Sequence, residues 1–593
     1  MTANPGDPAS KRPGDSPGED REAAPRLLWL CVAVALLLAF ARGAAWEHRH
    51  DEGTTVDLAI GMVLRDRFVE GHPVGQPVPI GSLYDVVEGR SDYDVLDAID
   101  SVVPTPPPVT YRMFHPPAYY ALLNVWTKVF GTGRLVMRLP AYLLLALSVL
   151  AMYRIGRRVI PEPHGGLWLA ALYGVSPWVI SITNFARPYS LALPLAVLST
   201  AAVVALHDPA ERASRGRWRV LFVVCSALGL YTLYHYAFVL AWHGLLLLWL
   251  AWRSEAAERK RELAWTLALG AVIAALFAPW IRVLLVHLTV SAKSGDYFLG
   301  AVREGYTQIR IFMSLRDYAL ADSVETLGRD ILVPTVTVLS ILTLPALLWA
   351  CFGAPRRRLQ GKLAIFWLSL PLLPLLVGVQ DLARGSHTIL ITKISFGFII
   401  LLMLLVVRAW LSLPSRALRT AGLSAWLLLL LSSSALCTYT RALVPSDSER
   451  TAALIAQMDD DDHLVVISTG LRGFSVPLLY SMREAGVENV FVIRCEQKDL
   501  PSLFRSINQA TIFKRVSLVN FNIPQWPRAL MWEPEALKKL AETVRSTPNW
   551  IVQHDLELPF LGIAPARGER KATRFRELWI HGPLKMRFFH GTF

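Results

Sequence analysis

Cysteine and charge are both scarce in this chain. Its 593 residues include five cysteines, at positions 31, 225, 351, 437 and 495, and no two stand as Cys-x-x-Cys. Neither a zinc cluster nor a disulfide framework is therefore supported. Charged residues make up 18% of the chain against 53% hydrophobic, which excludes a large soluble enzyme and leaves an integral membrane protein. No internal repeat of short period is present. Residues 441–593 lack both Gly-x-Gly-x-x-Gly and a Walker sequence, so nothing there suggests nucleotide binding. The net charge of +13 does not require a nucleic-acid partner, because its Lys and Arg fall in loops that follow the membrane rule below.

What is present is a series of apolar runs. Residues 1–26 are rich in Pro, Gly, Ser and charge and read as a disordered cytoplasmic tail. Leu27 to Ala45 reads as an uncleaved first span rather than a signal peptide, although residues 41–45 mimic a cleavage site. Further runs lie near 137–155, 167–185, 188–206, 219–235, 237–252, 264–287, 331–352, 363–380, 394–411 and 421–440, giving about eleven helices. Every second loop is basic: Arg154, Arg157 and Arg158; Arg212, Arg215 and Arg217; Arg253, Arg259, Lys260 and Arg261; Arg356, Arg357, Arg358 and Lys362; Arg416 and Arg419. The positive-inside rule puts these and the N-terminus in the cytoplasm and the C-terminus outside. Counting Tyr111 to Phe130 as a span would send the most basic loops outside. It is expected to be a juxtamembrane or partly re-entrant helix in a first external loop, about 46–136. Two more external loops are expected at about 288–330 and 381–393.

The expected fold is thus an α-helical polytopic membrane protein, with its membrane domain over residues 27–440. From residue 441 the pattern turns soluble. Strand-like segments near 463–468, 490–493, 516–521, 550–556 and 575–580 alternate with helical ones near 476–485, 500–507 and 534–544. That alternation predicts a small three-layer α/β domain outside the membrane. The acidic run Asp459 to Asp462 reads as a solvated turn.

The groups that could carry chemistry sit at the external ends of the spans. Asp51-Glu52 follows the first span directly, and partial burial of such a pair would raise at least one pKa, as a general base needs; its plain alternative is a solvated acidic turn. Phe114-His115-Pro116-Pro117-Ala118-Tyr119-Tyr120 places His115 at a helix start, because proline is tolerated in the first turn. Arg138-Leu139-Pro140 opens the second span, Phe185-Ala186-Arg187-Pro188-Tyr189 forms the turn after the third, and Lys393 lies at the external end of the tenth. Cations at a membrane edge either serve function or snorkel to lipid phosphates. Tyr119, Tyr120 and Trp126 suit either a sugar or lipid groove or an interfacial aromatic belt. Arg303, Arg310, Arg316, Asp317 and Asp322 read as a solvated amphipathic helix.

The order Asp-Glu, His-Pro-Pro-x-Tyr-Tyr, Phe-Gly-x-Gly-Arg with Arg-Leu-Pro, then Ala-Arg-Pro-Tyr, resembles the GT-C superfamily of membrane glycosyltransferases. Within it the chain is similar to glycosyltransferase family 39, the protein O-mannosyltransferases and bacterial aminoarabinose transferases, over residues 27–440 and most sharply over 46–200. The resemblance implies a GT-C fold and a polyprenyl-phosphate sugar donor used on the non-cytoplasmic face. It also implies a protein, lipid or glycan acceptor and no metal or other cofactor. Carried over by position, Asp51 would be the general base of an inverting transfer and Glu52 would orient the acceptor or tune its neighbour. His115, Arg138, Arg187 and Lys393 would neutralise the lipid phosphate, with Tyr119 and Tyr189 lining the substrate site. Two departures stand out: His115 occupies a position where some relatives have Lys, so its charge depends on pH, and Thr392-Lys393-Ile394 replaces an Arg-Tyr pair.

Two other readings use the same residues. A transporter or lipid flippase would use the acidic pair and cations as a pathway, but the span centres read as apolar and no broken helices pair by symmetry. A metal enzyme could use His48, His50, Asp51 and Glu52, but that run has no recognised zinc spacing. The setting expected is a bacterial inner membrane.

Overall fold

A computed structural model describes residues 19–45, 55–56, 59, 78–87, 93–103, 115–288, 329–349, 372, 375–376, 379, 396–443, 447–457, 463–468, 475–495, 515–522, 578–581 and 585–592. Among them five helices are long and apolar enough to cross a membrane: Pro25–Ala44, Val136–Val159, Pro188–Leu206, Ala256–Leu288 and Arg416–Tyr439. A sixth candidate is a pair, Gly165–Val175 and Pro177–Asn184, bent by 54°. The apolar runs near 219–235, 237–252, 331–352 and 394–411 are also helical, and the run near 363–380 lies almost wholly outside the described residues.

In chain order the helices of the membrane part are α1 (Glu19–Ala44), α2 (Ile80–Val87), α3 (Val95–Asp100), α4 (Ala118–Phe130) and α5 (Leu139–Val159). Then come α6 (Gly165–Val175), α7 (Pro177–Asn184), α8 (Pro188–Leu206), α9 (Arg215–Thr232), α10 (Tyr236–Trp252) and α11 (Ala256–Phe277). After these follow α12 (Arg329–Leu348), α13 (Phe398–Leu411) and α14 (Arg416–Leu443). At 13 residues α4 is about 20 Å long, too short for a hydrocarbon core of about 30 Å.

Small residues and prolines set the helix geometry around the site. A Cβ added at Gly156 would lie 2.7 Å from the Gly166 Cα, so α5 and α6 meet backbone to backbone. His164 makes the turn between them at φ 62°, in the left-handed region. Pro177 has no N–H to continue α6, and the helix breaks there. The span interiors are less apolar than the sequence pattern suggests. Ser199 bonds the Tyr236 hydroxyl at 2.7 Å, Thr200 Oγ1 meets His243 Nε2 at 3.0 Å, and Arg408 pairs with Glu162. Each of these groups is kept in a helix bundle by a partner on another segment, which hydropathy along one segment cannot show.

The two ends of the bundle differ chemically. At one end the basic loops form ion pairs: Arg158 with Asp208 at 2.7 Å and with Glu211, and Arg215 with Glu262 at 3.1 Å. At the other end stands a six-stranded mixed sheet, β1 (Val78–Pro79), β2 (His463–Ser468), β3 (Val490–Cys495), β4 (Arg515–Asn522), β5 (Leu578–His581) and β6 (Lys585–Thr592), in the order β1-β3-β2-β4-β6-β5. β2 runs parallel to β3 and β4, β6 is antiparallel to β4 and β5, and β1 is antiparallel to β3. Helices α15 (Asp447–Ala456) and α16 (Ser475–Glu484) precede its parallel strands. The sheet draws on both sides of the boundary expected at 441, since β1 comes from the first external loop. Tyr84 donates to the Val487 carbonyl at 2.5 Å, and Arg134 bonds Glu484 at 2.6 Å and Glu449 at 3.2 Å. The strand expected at 550–556, the helices near 500–507 and 534–544 and the acidic run 459–462 lie outside the described residues.

Candidate active site

Two X-Pro steps position the central side chains. A residue before proline is pushed to extended backbone, and proline itself is ready-made for the first helical turn. Arg187 is extended at φ −145°, ψ 165°, and α8 begins at Pro188. His115 precedes Pro116-Pro117, and α4 begins at Ala118. These two helix starts face each other, with Arg187 Nη2 3.2 Å from His115 Nε2.

Aromatic side chains wall this pair. The Arg187 guanidinium stands 5.7 Å from the ring centroids of both Phe185 and Tyr189, which stack on each other at 6.3 Å. His115 meets Tyr189 edge to face at 6.3 Å, and Tyr119 meets Tyr120 likewise at 6.2 Å. Arg187 is 4% exposed and Tyr120 fully buried, so attraction here is little screened by water. Burial raises the Tyr120 phenol above its ordinary pKa, while nearby Arg187 and the neighbouring Thr55 oppose the rise. Tyr119 and Tyr120 are both buried and so are not belt aromatics. Trp126 is half-buried and donates to the Val136 carbonyl at 2.7 Å.

Arg138 is placed differently from Arg187. It is buried, and its guanidinium donates to the backbone carbonyls of Asn184 at 2.7 Å, Arg134 at 3.3 Å and Gly43 at 3.4 Å. It thereby ties the end of α1 to the end of α7. The same corner holds Tyr142, which donates to Asn184 Oδ1 at 2.7 Å, and Arg42, which reaches Ser181 Oγ at 3.3 Å. Gly43 is required there, since an added Cβ would lie 1.9 Å from the Tyr142 hydroxyl.

The structure brings His115, Arg187, Tyr119 and Tyr189 into one cluster and sets Arg138 into a neighbouring backbone clamp. Asp51, Glu52 and Lys393, with His48, His50 and the 303–322 charges, lie outside the described residues. Thr55 and Phe185 join the cluster although the sequence assigns neither a site role; Phe185 opens the Phe-Ala-Arg-Pro-Tyr motif. Among the described residues no group of three or more His, Cys, Asp or Glu could hold a metal ion. A buried guanidinium beside an imidazole, at the N-terminal end of a 19-residue helix, is suited to an oxyanion. The aromatic faces around it suit an apolar or sugar-like neighbour.

Residues 114–282, which contain this cluster, match the family model described as dolichyl-phosphate-mannose-protein mannosyltransferase. The chain resembles a GT-C glycosyltransferase. The motif order and the matched segment carry this resemblance together. Among solved structures, ArnT from Cupriavidus metallidurans in the apo state is similar at 14% identity, over 88% of this chain and 95% of that one, with a TM-score of 0.48. The same protein bound to undecaprenyl phosphate aligns over the same shares at 15% identity and a TM-score of 0.47. The S. cerevisiae protein O-mannosyltransferase Pmt1–Pmt2 complex bound to the sugar donor aligns at 17% identity, over 47% of this chain and 37% of that one, with a TM-score of 0.27. No curated protein matches by sequence.

Proposed function

We propose that this protein transfers a sugar from a polyprenyl-phosphate donor to an acceptor hydroxyl on the extracytoplasmic side of the membrane, with inversion. The observation that carries this reading is the Arg187–His115 pair, 3.2 Å apart within an aromatic wall at the start of α8. The leaving group of such a transfer is a lipid phosphate, whose charge grows as the glycosidic C–O bond breaks. Buried, preorganised donors are most effective against charge that develops in the transition state.

In the proposed step the acceptor hydroxyl gives its proton to the Asp51 carboxylate and its oxygen bonds to the anomeric carbon. The bond to the phosphate oxygen breaks, and the polyprenyl phosphate leaves against Arg187 and His115. Glu52 orients the acceptor or tunes Asp51, Tyr119 and Tyr189 flank the sugar or the first part of the lipid, and Lys393 adds a further cation. Thr55 supports the assignment of Asp51: it lies beside the Tyr120 phenol, and four residues of chain reach at most about 14 Å. No metal is needed in this scheme, so chelator treatment is expected to leave transfer unchanged.

The basic loop end is assigned to the cytoplasm, with the N-terminus, and the sheet end to the outside of a bacterial inner membrane. The external sheet selects the acceptor, so deletion of 445–593 is expected to spare donor binding and impair transfer; unchanged transfer would refute that role. The test of the whole reading is Asp51→Asn in membranes supplied with radiolabelled polyprenyl-phosphate sugars, scoring donor binding and label transfer together. Binding kept with transfer lost is the expected result. Full transfer by the variant would remove Asp51 from the mechanism.

A further inference from the structure

The basic end of the bundle carries cations that its own carboxylates do not neutralise. Arg158 is taken by Asp208 and Glu211, and Arg215 by Glu262. Glu211 also accepts from the Trp218 indole N–H at 3.0 Å, which holds this ring of α9 toward α5. Arg154 and Arg158 of α5 both approach it, at 6.0 and 5.9 Å from its centroid. Arg158 brings two carboxylates to the ring, whereas Arg154 brings none. Arg157, 5.7 Å from the Tyr153 ring centroid, and Arg217, the residue before Trp218, are alike in this: among the described residues none of the three makes an ion pair. All three are exposed.

Helical spacing puts each of these cations at the end of an apolar stripe. Leu143, Leu147, Arg154 and Arg157 follow one another down one face of α5, and Arg217, Val220, Val224 and Leu228 do so on α9. Every one of these side chains is exposed, and both helices pack on α8. In a membrane protein an exposed apolar stripe meets acyl chains, and a cation at its end meets headgroups. Trp218 stands between the two cationic ends, and indoles favour that interfacial level. A zwitterionic headgroup cancels its own phosphate charge with an amine and would leave three guanidinium groups uncompensated. A headgroup of net negative charge neutralises them. We propose that the basic ends of α5 and α9 bind an anionic phospholipid, with its headgroup on Arg154, Arg157 and Arg217 and its acyl chains along the two stripes. This site lies at the opposite end of the bundle from His115 and Arg187, and it does not depend on the transfer reading above.

The experiment titrates the full-length protein in detergent with phosphatidylglycerol or phosphatidylcholine and counts bound lipid by native mass spectrometry. The parent is expected to retain phosphatidylglycerol and to lose phosphatidylcholine. The triple variant Arg154→Gln/Arg157→Gln/Arg217→Gln should bind phosphatidylglycerol about a hundredfold more weakly, at about fivefold for each cation removed. A control triple, Arg253→Gln/Lys260→Gln/Arg416→Gln, removes the same charge from the same end and should keep the parent affinity. Should the site triple fail to fold, Arg154→Gln and Arg217→Gln are read singly, each at about fivefold weaker. Equal weakening in the site variants and the control would show diffuse attraction and overturn the site. Equal retention of the two lipids by the parent, or of neither, would overturn the anionic preference. Displacement of the lipid by inorganic phosphate alone would show a free-anion site and overturn the role of the apolar stripes.

Discussion

Two arginines are buried at opposite ends of the bundle, and their surroundings differ. Arg408, near the C-terminal end of α13, pairs with Glu162 in the turn between α5 and α6, and both side chains are less than 5% exposed. A carboxylate already neutralises that charge, so a second anion would gain little there. Arg187 stands beside an imidazole and over two aromatic faces. Each aromatic contact is worth about 0.5–2 kcal/mol. The same residue type, at similar burial, is held by a carboxylate in one place and lies among aromatic rings and an imidazole in the other.

Breaking the locked pair has the largest expected effect. Glu162→Ala strands a buried guanidinium and should cost about 3–5 kcal/mol, read as a lowered thermal unfolding midpoint in detergent. The double variant Glu162→Leu/Arg408→Met should recover most of that loss, because the charge and its partner leave together. A single variant as stable as the parent would collapse the contrast between the two arginines.

Next comes Arg187→Met, expected to lower transfer by about 100-fold or more while costing less stability than Glu162→Ala. His115→Lys should retain transfer, since lysine puts a cation at that helix start, whereas His115→Ala should reduce it. A smaller effect sharpens the comparison with the Arg138 clamp. Gly43→Ala pushes a Cβ onto the Tyr142 hydroxyl and Asn184 and should cost about 1–3 kcal/mol. Gly216→Ala in α9, with nothing within 4 Å, should be neutral or slightly stabilising. Smallest of all is Arg134→Ala. Glu484 and Glu449 are 44% and 35% exposed, so losing these pairs should change stability by less than about 1 kcal/mol. Faster proteolysis between the sheet and the bundle would still report it.

What could be read in advance follows from how local the cause is. The helix starts at Ala118 and Pro188 are written into His-Pro-Pro and Arg-Pro, because proline acts on its immediate neighbour, and so His115 and Arg187 stand out among the four cation candidates His115, Arg138, Arg187 and Lys393 only as helix-start residues, not as a pair. Parallel strands β2, β3 and β4 were legible as short apolar runs. Arg138 looks equivalent to Arg187 in the sequence, since two of the carbonyls that engage it come from the distant positions 43 and 184 and leave no local trace. β1 is two residues long and has no periodicity to read. The Arg408–Glu162 pair joins positions 246 residues apart, and each looked like an isolated charge at the edge of an apolar run.

The most direct measurement is equilibrium binding of polyprenyl phosphate to three purified proteins: the parent, Arg187→Met, and the Glu162→Leu/Arg408→Met double variant. The account predicts parent-like affinity per folded molecule in the double variant and a loss of at least tenfold in Arg187→Met. Equal affinity in Arg187→Met and the parent would contradict the assignment of the Arg187–His115 cluster as the phosphate site.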